Sequence, residues 1–133
     1  MARRLILDTN VLIDYARGRL DRTLLDDDDL AIAAVTVAEF RTGIELAASP
    51  HRAEARARVL EAILGSVATL DYTPATVAHH ARLLAHTRRA GRPRRAHDLI
   101  IAAHAAETGR VLLTRDAAAR VGDLPGVDAE GIG

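Results

Sequence analysis

Short apolar runs alternate with longer stretches of helical periodicity along this chain. Residues 5–7, 30–35, 67–70 and 111–113 are apolar runs of strand length. Runs so short and so uniformly apolar read as strands buried on both faces of a parallel sheet. Between them, apolar positions recur at helical spacing over residues 10–17, 36–48, about 51–64, 74 to about 89 and about 96–108. A shorter helical stretch covers 20–25. The punctuation agrees with these elements. Gly18, Gly65 and Gly109 stand at helix ends, and Thr73-Pro74 supplies an N-cap followed by proline at the first helical position. The segment 96–108 is apolar on nearly every side and is expected to be buried. Strands alternating with helices predict an α/β domain with a mostly parallel sheet.

The breaks in the pattern carry the chemistry. Asp8 ends the first apolar run just as a helix begins. In a parallel sheet that carboxyl edge is where ligands and chemistry gather. Glu39 opens the helix that follows the second run, Asp98 lies in the first turn of the apolar helix, and Asp116 lies just beyond the last run. Each has a local alternative. Asp8 and Asp116 could be plain N-caps. Thr36-Val37-Ala38-Glu39 has capping-box spacing, and Asp98 could simply favour the helix dipole. Together the four converge on one sheet edge. Such a cluster repels itself and calls for protons or a cation. With oxygen ligands alone, the fitting ions are Mg²⁺ or Mn²⁺. Ions of this kind lower the pKa of a bound water and neutralise a phosphate oxygen, which suits phosphodiester hydrolysis.

Composition narrows the field. The 133 residues suit one domain spanning 1–133, with no repeat or linker. There is no cysteine, which excludes disulfides, thiolate nucleophiles and zinc sites with sulfur ligands. A net charge of +0 disfavours a basic DNA-coating protein, and 2% aromatics leave no base-stacking platform. No apolar run approaches the ~18 residues that would span a bilayer, so a cytoplasmic protein without membrane attachment is expected. The run Asp26, Asp27, Asp28, Asp29 reads as a solvated loop. All 18 basic residues are arginine, and Arg92, Arg94, Arg95 and Arg115 lie close in sequence to the acids, where they could hold flanking phosphates. A solvated turn explains the same loop equally well. The six histidines form no metal motif; His97, directly before Asp98, could touch substrate but reads more readily as a surface residue.

The ordered set LILDTN, TVAEF, HDLIIAA and LLTRD resembles the PIN-domain ribonucleases, specifically the VapC-type toxins of bacterial VapBC toxin–antitoxin pairs. The resemblance covers nearly the whole chain. It implies a three-layer α/β/α fold with a central, mostly parallel sheet of four to five strands. It also implies Mg²⁺- or Mn²⁺-dependent cleavage of RNA. The family's four acids match Asp8, Glu39, Asp98 and Asp116, with Asp8, Asp98 and Asp116 as metal ligands. Asn10 and Thr114 match its supporting polar residues. The polar tail Asp128-Ala129-Glu130 departs from the family's apolar last strand, which leaves open whether Val127 begins a fifth strand. Similar toxins are homodimers inhibited by a small VapB-type antitoxin, whose groove is expected along the first helix near Leu12, Tyr15 and Ala16. The alternatives are a PIN-like DNA or structure-specific nuclease and a non-catalytic binding module. An aspartyl-phosphate phosphatase of the haloacid-dehalogenase type is weaker still. It needs a second acid where Asn10 stands, and a lysine, of which this chain has none.

Overall fold

Leu5, Ile6 and Leu7 are all completely buried, although successive strand residues point to opposite faces. Both faces of their sheet must therefore be covered. The computed structural model, which describes residues 2–115, 117, 121 and 123–132, shows how. β1 (Arg4–Leu7) is the central strand of five, flanked by β2 (Asp29–Ala33) and β4 (Val111–Thr114). β3 (Ala68–Leu70) and β5 (Ala129–Gly131) are the edges, giving the order β3-β2-β1-β4-β5 with every pairing parallel. Because all strands run the same way, all their carboxyl ends lie along one edge.

The helices are α1 (Thr9–Ala16), α2 (Ala34–Glu45), α3 (Pro50–Leu64), α4 (Pro74–Ala90) and α5 (Ala96–Thr108). The alternation in β1 sorts the core into two layers. Leu5 and Leu7 pack with Val11, Leu12 and Ile63 on the face that α1 and α3 cover. Ile6 packs with Leu83, Leu99, Ile101 and Leu112 on the face that α4 and α5 cover. Each such side chain contributes about 1.5–3 kcal/mol on burial. α5 has the expected bounds and is held under α4, its end set by Gly109 in the left-handed conformation at φ 67°. Among the described residues no helix is long and apolar enough to cross a membrane.

Four expectations change. First, β2 stops at Ala33, where its pairing with Leu70 ends, and α2 begins two residues before Thr36. Ala33 takes the cap position without a side-chain hydrogen bond, so the capping box of Thr36 and Glu39 does not form. Thr36 is instead completely buried in the first turn. Second, the fifth strand exists but begins at Ala129, not Val127, and pairs through its backbone as a half-solvated edge. An edge strand does not need an apolar sequence. Third, the acidic run is not merely solvated. Asp28 accepts from Arg3 at 2.8 Å, which holds its carboxyl below the usual range, and Asp29 accepts from the buried Arg110 at 3.2 Å. Fourth, residues 20–25 form a single 3-10 turn, Arg22–Leu25. The short helix expected to reach Val121 lies largely outside the described residues.

Candidate active site

Asp8 owes its position to two roles at once. Its backbone N–H donates to Leu113 O at 3.0 Å, carrying the β1–β4 ladder one residue past the strand. Its carbonyl accepts from Leu12 N at 2.9 Å, starting α1. The side chain at this junction must stand on the carboxyl edge of the sheet. There Oδ1 accepts from Asn10 N at 3.4 Å, so the N-cap role is real. Oδ2 accepts from Thr114 Oγ1 at 2.6 Å, and both residues are buried. The register puts Thr114 in place, because Leu7 pairs with Leu113 and the next residues along are Asp8 and Thr114. A buried carboxylate held by a short, charge-assisted hydrogen bond is rigid.

Glu39 arrives from α2 and Asp98 from the first turn of α5. With Asp8, Thr9, Asn10, Arg95, Ala96 and His97 they line one open cavity of about 330 Å³. Asp8 and Asp98 also line a small adjoining hollow with Thr114, Ile101 and Leu112. Since α2 starts at Ala34, Glu39 lies in its second turn and is released from the capping task that its spacing with Thr36 suggested. Its Oε1 is met at 2.8 Å by His97 Nδ1 and at 3.3 Å by Thr9 Oγ1. His97 is exposed, as expected, and also forms part of the cavity wall. The available signal was its place next to Asp98 at the open end of the apolar helix. Asp116 lies outside the described residues.

The arginines divide. Arg95 lines the cavity, and Arg92 is exposed on the loop beyond it. Arg94 is tied to Asp123, and Arg115 is held by Asp14 at 2.6 Å, so both brace loops near the site. A second, larger depression of about 350 Å³ lies between α1, α2 and α3, lined by Ile13, Ala16, Arg17, Phe40, Gly43 and Val59. Glu39 borders it as well, so the groove leads to the acidic cavity. Leu12 and Tyr15, expected on the groove, face elsewhere: Leu12 is core, and Tyr15 stacks under Arg22 at 4.5 Å.

Residues 5–123 match the family model for the PIN domain. The chain belongs to the PIN-domain family, in its VapC group. Ribonuclease VapC5 of Mycobacterium tuberculosis is 37% identical over 112 residues, covering 84% of this chain and 82% of that protein. The tRNA(fMet)-specific endonuclease VapC of Shigella flexneri is 31% identical over 117 residues, 85% of this chain and 86% of that one. Among solved structures, the VapBC-5 toxin–antitoxin complex of M. tuberculosis matches with a TM-score of 0.78 at 33% identity, over 97% of this chain and 98% of that chain.

Divalent ions fit the donor set of this PIN domain. The acids are hard oxygen donors, Asp8 and Asp98 share two adjoining hollows, and no sulfur competes. Among the described residues, which leave out Asp116, no group of three or more acidic or imidazole side chains is placed to hold a metal ion.

Proposed function

We propose that this protein is a metal-dependent endoribonuclease, the toxin of a VapBC pair, acting as a single-domain cytoplasmic homodimer under the control of a small VapB-type antitoxin. The observation that carries the reading is the meeting of Asp8, Glu39 and Asp98 in one cavity at the sheet's carboxyl edge, in a chain of the VapC group. Asp8 and Asp98, with Asp116, would hold Mg²⁺ or Mn²⁺. Bound there, the ion supplies acidity for a water and positive charge for a phosphate oxygen.

This chain's own residues do the rest. Thr114 keeps the Asp8 carboxylate in one orientation. Glu39 holds and orients the attacking water. Asn10, exposed at the start of α1 on the cavity rim, offers an amide to the substrate. Arg95 takes a flanking phosphate, whereas Arg94 and Arg115 serve mainly to hold their loops. Arg92 adds charge at the approach. The antitoxin would lay an apolar segment along Ile13, Ala16, Phe40 and Val59, meet Arg17 and Arg56 with acidic positions, and reach Glu39 with a basic one.

The test is a substrate panel. Purified protein is incubated with RNA, single-stranded DNA and duplex DNA, with Mg²⁺, Mn²⁺ or a chelator. Internal cleavage of RNA alone, lost on chelation, is expected. Cleavage of DNA in preference to RNA, or cleavage of nothing with the metal present, would refute the assignment.

A further inference from the structure

The cavity contains one arrangement that neither the acids nor the fold requires. Glu39 is a long side chain on a surface turn, and its side chain is 31% exposed. Left alone, such a glutamate samples several rotamers, and fixing it costs side-chain entropy. Here contacts from two other helices converge on a single oxygen, an ion-pair contact from His97 and a hydrogen bond from Thr9. His97 Nδ1 reaches Oε1 from α5 at 2.8 Å, and Thr9 Oγ1 reaches the same atom from α1 at 3.3 Å. Among the described residues, Oε2 takes no hydrogen bond. One oxygen is thus held from two sides in a residue that lines the cavity. The shorter of the two contacts comes from the residue directly before Asp98, so the imidazole links the placement of Glu39 to the helix turn that carries Asp98.

We infer that His97 is a positioning residue for the proposed nuclease reaction, donating Nδ1–H to Glu39 so that the second carboxylate oxygen faces the water or substrate in the cavity. This rests on the nuclease reading above. The chemistry makes the claim specific to one atom. Nδ1 is attached to Cγ, as is the amide nitrogen of asparagine. The amide nitrogen of glutamine is one bond further out, where the ring's Nε2 would be. An asparagine at this position can therefore reproduce the bond and a glutamine cannot. If His97 only filled space or supported the helix, glutamine would be the better replacement, being larger and the stronger helix former. If His97 touched the substrate through Nε2, glutamine would again be the better mimic.

The experiment compares H97N, H97Q and H97A with the parent protein in a steady-state RNA cleavage assay that separates kcat from KM. Misplacing a reacting group by about 1 Å can cost up to ~10²-fold in rate. The expected result is a loss of kcat of roughly tenfold or more in H97Q and H97A, with KM little changed, and recovery to within about threefold in H97N. A second measurement needs no activity. In the metal-free protein, ¹⁵N spectra of the His97 ring should show the proton on Nδ1, and E39A should abolish that preference. H97Q matching or exceeding H97N, or a ring tautomer indifferent to E39A, would overturn the inference. A parent protein that cuts no RNA would instead overturn the nuclease reading, and the ring spectra would still report on the contact.

Discussion

Removing the hydroxyl of Thr114 tests how Asp8 is held. Valine has the same shape and no donor, so Thr114→Val deletes one interaction with little change in packing. The lost contact is a 2.6 Å hydrogen bond between a hydroxyl that is 0% exposed and a carboxylate in a residue that is 5% exposed. Hydrogen bonds to charged groups contribute about 1.5–3 kcal/mol. For a chain of this size, each kcal/mol moves Tm by about 4 °C, so Tm should fall by about 6–12 °C. Thr114→Ser keeps the donor and loses one buried methyl, which should cost only about 1 kcal/mol. The assay is urea unfolding and thermal melting in the presence of a chelator, with Asp8→Ala and the double variant completing a cycle. A coupling of about 1.5–3 kcal/mol between the two positions is expected. A smaller cost for valine than for serine, or a coupling below about 0.5 kcal/mol, would refute the role given to the hydroxyl.

Other consequences can be measured directly. His104 is buried in α5 beside Tyr72 and His80, and burial lowers its pKa below the usual 6.5, with Glu107 and Asp71 opposing more weakly. The folded state therefore resists a proton that the unfolded chain accepts, so stability should fall as pH drops from 7 through 6.5, and His104→Leu should flatten that slope in a pH series of melts. Asp28, whose carboxyl Arg3 holds below 3.8, contributes its own loss only at lower pH. Gly43 lies in the last turn of α2, and a Cβ there would meet nothing within 4 Å, so Gly43→Ala should stabilise by about 0.5 kcal/mol in urea titrations. Gly43→Phe should fill the groove and weaken antitoxin binding in calorimetry by tenfold or more; unchanged affinity would move the docking surface elsewhere. Arg95→Ala should weaken RNA binding and reduce its salt dependence, while Arg94→Ala should chiefly lower Tm, since Arg94 is committed to Asp123. Equal effects of the two on the salt slope would reject that division.

Much of this architecture was legible because local signals and packing agree. The apolar run ending in Asp8 is a central strand, and its position relative to α1 follows from chain continuity alone. The segment 96–108, apolar on nearly every side and closed by Gly109, is the helix α5. The misses lie where tertiary partners override local pattern. Nothing near Thr36 announces that β2 will end with its partner strand at Ala33, and the capping-box spacing points to the wrong helix start. A parallel edge strand such as β5 is held by backbone hydrogen bonds and an Arg3–Glu130 pair at 3.0 Å, so its polar sequence conceals it. The roles of Arg94, Arg115 and His97 depend on partners far along the chain, Asp123, Asp14 and Glu39, which no spacing rule links to them. Asp8, by contrast, is legible in its position: it caps α1 and lines the cavity at the sheet's carboxyl edge.

Carboxylates from β1 and α5 are proposed to act together on RNA through a divalent ion. The most direct measurement is the rate of RNA cleavage against Mn²⁺ concentration for the parent protein, Asp8→Asn and Asp98→Asn, each checked for an intact fold by circular dichroism. Saturable, chelator-sensitive cleavage is expected in the parent, and none above background in either folded variant. Full cleavage by either variant, or parent cleavage that persists in excess chelator, would contradict the proposal.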